Sequence, residues 1–142
     1  MTTEENLGND DESFLIGEFS PDGKWCVTFE DNCETGYLYI QHINEKGETG
    51  DIFDHLWIYN QIMPPIRACK EVFILWNDDS TRACLIVDQE CWGIFDLKSR
   101  RKLNAPRKDN VILEISFEVW EKGLDEKDGE KMKSVNDLNS LN

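Results

Sequence analysis

The chain has 142 residues, with 15 Lys and Arg against 29 Asp and Glu, a formal net charge of -14, and 39% hydrophobic residues. That length suits one folding unit, and an aromatic fraction of 11% is too high for a wholly disordered acidic chain. The charge opposes general nucleic-acid binding, which depends on Lys and Arg at phosphates. No run approaches the roughly 18 apolar residues that span a bilayer, and Met1 to Glu12 lacks the basic start and apolar stretch of a secretory signal, so a cytoplasmic protein with no membrane contact is expected.

Residues 1–12 carry five acids and no base, and read as a disordered acidic leader. Residues 13–122 read as a single β-rich domain. Phe14 to Phe19 opens a series of strands, and Ser20-Pro21-Asp22-Gly23 supplies a tight turn. Trp25, Val27 and Phe29 then alternate with polar neighbours as a half-buried strand should. Further strands are expected at Tyr37 to Ile43, Leu56 to Tyr59, Val72 to Trp76, Thr81 to Val87, Trp92 to Leu97 and Val111 to Trp120.

One helical pattern interrupts them. Ile52, Phe53, Leu56 and Trp57 would share a face of a short helix over Asp51 to Trp57. The short turns at Asn77 to Asp79 and Asp88 to Glu90 imply antiparallel neighbours. The expected fold is therefore mainly β, an antiparallel meander forming a barrel or sandwich, with at most one or two short helices. Residues 123–142 read as a flexible charged tail, in which Met132, Val135, Leu138 and Leu141 have the spacing of one short amphipathic helix.

Chemistry-bearing patterns are sparse. The five cysteines, Cys26, Cys33, Cys69, Cys84 and Cys91, cannot all pair within one chain and are expected as free thiols. Cys26/Cys33 and Cys84/Cys91 are each separated by six residues, wider than a zinc knuckle, so no metal and no cofactor is expected. Asp54-His55 could form a proton relay only in a helix or turn, because adjacent strand residues face opposite ways. No nucleophile signature accompanies it, and no catalytic residue is assigned. Lys98 to Lys108 holds six bases and reads as a solvated loop between strands. Of the five tryptophans most belong in the core, whereas one or two exposed on a sheet would mark a binding surface.

Phe29-Glu30-Asp31, Thr35-Gly36-Tyr37-Leu38-Tyr39 and His55-Leu56-Trp57-Ile58-Tyr59-Asn60, with the strands at Val72 to Trp76, Ala83 to Ile86 and Ile94 to Asp96, resemble a small bacterial domain family of uncharacterised function. The TGYxY and IYN elements are its distinctive parts. The resemblance implies a compact β-rich domain and brings no catalytic residues with it.

The functional expectation is a small acidic binding protein, not an enzyme, that neutralises a basic protein partner as an immunity protein does a nuclease toxin. Asp22, Glu30, Asp31, Glu34, Asp78 and Asp79 are its expected partner-binding residues. The alternative is a ligand-binding or enzymatic β-barrel with a pocket lined by Tyr37, Tyr39, His55, Trp57 and Tyr59.

Overall fold

The computed structural model describes residues 13–109 and 111–133. Residues 1–12, where the acidic leader was expected, and 134–142 lie outside that range. Four strands, β1 (Phe14–Phe19), β2 (Trp25–Asp31), β3 (Thr35–Ile43) and β4 (Thr49–Asn60), form one antiparallel sheet in chain order. After a 3-10 turn at Ile66–Ala68 come β5 (Val72–Trp76), β6 (Arg82–Val87), β7 (Glu90–Asp96) and β8 (Arg101–Asn104), which form a second meander. A small hairpin of β9 (Arg107–Lys108) and β10 (Val111–Ile112), helix α1 (Phe117–Lys122) and β11 (Glu130–Lys131) complete the described chain, and β11 pairs with β8.

Turn chemistry explains the meanders. In the first turn Gly23 takes φ 74°, its N–H donates to the Ser20 carbonyl, and the Ser20 hydroxyl accepts the Trp25 N–H at 3.0 Å. Between β6 and β7, Asp88 and Gln89 both have positive φ, 47° and 70°, as a two-residue hairpin matched to strand twist requires.

The two sheets face each other across one core. Val27, Phe29, Leu38, Ile40 and Ile58 of the first sheet meet Leu85, Phe95 and Trp92 of the second. Burying each large side chain stabilises the fold by about 1.5–3 kcal/mol. Gly93 lets the layers approach, since a Cβ there would lie 3.0 Å from Ile58 Cδ1. Side chains close the two long edges: Trp76 Nε1 donates to the Glu18 carbonyl at 3.0 Å, and Asn104 Nδ2 to the Trp57 carbonyl at 2.7 Å. The fold is thus mainly β and sandwich-like, not a closed barrel.

Three expectations change. The helix over Asp51 to Trp57 is part of β4, which the ladder with β3 extends to twelve residues with three register shifts. Each shift inserts an extra residue and resets the in-out alternation, so Phe53 and Asp54 are both buried, as are Ile58 and Tyr59. That reset imitates helical spacing. The strand expected over Val111 to Trp120 gives way after Ile112. The Ser116 hydroxyl accepts the Glu118 N–H at 3.2 Å, Glu118 pairs with Lys122 at 2.8 Å, and Gly123 at φ 87° ends the helix so made. The segment after Gly123, expected as tail, holds Leu124 and Met132 buried and pairs Glu130 with Lys102 as far as residue 133. Among the described residues no helix is long and apolar enough to cross a membrane.

Candidate functional site

Asp31 occupies the inner end of β2, and Tyr59 is turned inward beneath it by the bulge in β4. The Tyr59 hydroxyl donates to Asp31 Oδ2 at 2.5 Å, while the Cys33 N–H donates to Asp31 Oδ1 at 2.7 Å. Burial, and then the bond to the Asp31 carboxylate, hold the Tyr59 phenol far above its ordinary range. Only a glycine can lie under this ring, because a Cβ on Gly36 would sit 2.6 Å from Tyr59 Cζ. Three of the segments that carry the family resemblance therefore meet at one point: FED supplies Asp31, TGY supplies Gly36 and IYN supplies Tyr59.

Residues paired across an antiparallel ladder point to the same side. Glu30 pairs with Leu15 and Tyr37, and Tyr37 pairs with Trp57, which places Leu15, Glu30, Tyr37 and Trp57 in one row on the outer face of the first sheet. Gly17, Thr28, Tyr39 and His55 form the next row, and Phe19, Cys26, Gln41 and Ile52 the third. This face is bare. Leu15 is 64% exposed, Phe19 58%, Ile52 48%, Tyr37 38% and Trp57 37%. Local bonds fix its aromatic corner: Trp57 Nε1 donates to Asn60 Oδ1 at 2.9 Å, and the Arg107 guanidinium stacks 5.6 Å from the Trp57 ring centre. Burial raises the Tyr39 phenol above its usual range, and the neighbouring Glu30 charge adds to the shift.

Both sequence-derived residue sets are redistributed by this geometry. Tyr37, Tyr39, His55 and Trp57 do not line an interior pocket with Tyr59: the first four face outward and Tyr59 inward, on opposite sides of the sheet. Of the six acids, Glu30, Asp31 and Glu34 lie at the Tyr59 end of the sandwich. Asp22, Asp78 and Asp79 lie at the other, where the Asp22 N–H donates to the Ser80 hydroxyl at 2.9 Å and ties the two turns together. Asp22 is settled there. Burial opposes its ionisation, but bonds from the Ser20 hydroxyl and the Lys24 N–H outweigh it and hold the carboxyl below the ordinary aspartate range.

Asp54 and His55 do not act together, since strand alternation turns Asp54 inward and leaves His55 outside. Asp54 instead meets Lys102 at 2.6 Å, with both side chains at least nine-tenths buried. Lys102 also donates to the His55 carbonyl at 2.8 Å, and the Lys133 N–H donates to Asp54 Oδ2 at 2.9 Å. The expected basic loop instead contains the strand β8 and the first strand of the small hairpin, with Arg101 bonded to the Asp128 and Gly129 carbonyls. Cys84 and Cys91 are buried neighbours, and the bond between their thiols, with burial, drives the Cys84 thiol far up. Among the described residues no group of three or more His, Cys, Asp or Glu is placed to hold a metal ion.

A cavity of about 500 Å3 opens beside the Tyr37–Trp57 row, between the turn after β2 and the segment after β4. Asp31, Cys33, Glu34, Gln61, Ile62, Met63, Pro65, Ile66 and Arg67 line it. The sequence singled out Asp31 and Glu34 alone among these. Residues 61–67 carry no periodicity, and only their fold against the β2–β3 turn makes them a wall.

A family model described as an uncharacterized protein conserved in bacteria (DUF2251) matches residues 9–132. No curated protein and no solved structure matches the chain.

Proposed function

The chain belongs to the DUF2251 family of uncharacterised bacterial proteins, and within it we propose a small acidic binding protein that neutralises a basic protein partner, as an immunity protein does a nuclease toxin, without a reaction of its own. The observation that carries this reading is the bare outer face of the first sheet, with Tyr37, Trp57, Leu15, Phe19 and Ile52 around Glu30. Outward residues of a one-sided sheet are ordinarily polar. Contiguous exposed Tyr and Trp are what protein interfaces concentrate, because rigid amphipathic rings bury much area at little entropic cost.

Charge supplies the partner's sign. Residues 13–133 hold 23 acids against 15 bases, so this span is acidic without residues 1–12. Such a field speeds encounter with a basic surface, and Glu30 at the centre of the aromatic row gives it a local mark. The test is capture from bacterial extract by the native chain and by a Tyr37→Ser/Trp57→Ser chain, at rising salt. The native chain should retain a basic protein that the variant does not, and retention should weaken as salt rises. Equal retention by both chains, or retention of no basic protein, overturns the reading.

A further inference from the structure

The cavity beside the aromatic row is more specific than the face itself. Its walls divide by chemistry: Ile62, Met63, Pro65 and Ile66 are apolar, while Asp31 and Glu34 bring carboxylates. Asp31 is 9% exposed and accepts two bonds from the described residues, whereas an ionised carboxylate has room for about four. Arg67, the one base among the described lining residues, donates through Nη2 to the Ser13 carbonyl. The described lining residues thus sum to one net negative charge.

The walls are also set in advance. Cys33 and Gln61 hold positive φ, 82° and 42°, without being glycine, and both line the cavity. Each is held by a bond to the acidic turn, Cys33 N–H to Asp31 Oδ1 and Gln61 N–H to the Glu34 carbonyl at 2.9 Å. Continuity with the face is direct, since Asn60, which accepts the Trp57 indole N–H, precedes Gln61.

A second hollow of about 290 Å3 repeats the pattern across the Ile62–Met63 ridge, with Asp88 and Glu90 against Val87, Trp92, Val111 and Ile112. Met63 stands on that ridge, 89% exposed. An apolar stem with a charged head suits walls of this kind, because the stem stays on carbon while the head reaches carboxylate.

We propose that the larger cavity is a socket for one cationic side chain, arginine or lysine, presented by the basic partner seated on the Tyr37–Trp57 row. The inference rests on the binding reading above, and its test separates the two. The isotope-labelled full chain is titrated with N-acetyl-arginine amide, N-acetyl-lysine amide and the uncharged N-acetyl-norleucine amide, and amide shifts are followed by NMR. Both cations should give saturable shifts at Cys33, Glu34 and Gln61, in roughly the millimolar range usual for so few atoms. Norleucine amide should bind at least about tenfold more weakly, as should the cations to Glu34→Lys, whose side chain is exposed.

Asp31→Asn is a second variant, less informative alone because Asp31 also holds Tyr59. Tyr37→Ser should leave probe binding unchanged while abolishing partner capture. Cation shifts that are absent, scattered over the acidic surface, or matched by norleucine amide overturn the socket and leave the face standing. Socket binding with partner capture indifferent to Tyr37→Ser overturns the face instead.

Discussion

The two sheets share a core but treat their outer faces in opposite ways. On the second sheet Cys84, Ile86, Cys91 and Ile94 point away from the first sheet and are still buried. The segment around α1 lies over them: Ile115 bridges to Cys91, the Leu124 N–H donates to Asp96 Oδ2 at 2.8 Å, and Arg82 donates to the Trp120 carbonyl and stacks 6.0 Å from its ring centre. On the first sheet Leu15, Tyr37, Trp57 and Ile52 occupy the equivalent side with no comparable segment over them among the described residues, only the Arg107 guanidinium on the Trp57 ring. One face is covered by the described chain, and the other is the surface proposed for a partner. The comparison teaches that apolar character alone does not mark a site; what marks it is apolar character that the chain leaves uncovered.

Breaking the internal closure should cost most. Lys102→Met strands the buried Asp54 carboxylate and should lower unfolding free energy by about 3–5 kcal/mol, read by denaturant melts. Ile94→Ala, beneath the α1 cover and fully buried, should cost about 2–5 kcal/mol through cavity formation. Tyr59→Phe removes the hydroxyl from Asp31 and should cost roughly 1–3 kcal/mol near neutral pH.

The sign of the pH effect follows from the raised Tyr59 pKa. The stability it links is full below the ordinary tyrosine value of 10.0 and falls away as pH rises beyond it. Melts from pH 8 to 11 should therefore show the native chain losing stability more steeply at the top of that range than Tyr59→Phe does. On the bare face the cost should nearly vanish: Tyr37→Ser should move stability by only about 0.5 kcal/mol, although the same change on the covered face would be severe.

Much of this organisation was legible in the residues. The alternation of Trp25, Val27 and Phe29 and the SPDG turn placed β1 and β2, because period-two burial and turn chemistry are local properties. Trp25, Trp76 and Trp92 are buried, in line with the expectation that most tryptophans belong in the core, and Trp57 stands exposed on a sheet. β4 was misread because bulges reset its phase, and a bulge is decided by the partner strand, not by the strand itself. Ser116 and Gly123 bound α1, but the apolar run Val111-Ile112-Leu113 reads as the start of a strand that extends across it. The Asp31–Tyr59 bond joins residues 28 apart in sequence and the Asp54–Lys102 pair residues 48 apart, so neither could be seen before the sheets were assembled. The acids looked like one set because sequence does not say which end of a sandwich a turn occupies.

The outer face of the first sheet is the proposed recognition surface, with the Asp31–Glu34 end and not the Asp22–Asp79 end beside it. Calorimetric titration of the captured basic partner into three chains, native, Tyr37→Ser and Asp78→Asn/Asp79→Asn, tests that most directly. Tyr37→Ser should weaken binding about 30-fold or more, the effect of removing an interface anchor, and the far-end pair less than about threefold. Undiminished binding by Tyr37→Ser, with a large loss in the Asp78/Asp79 pair, would contradict it.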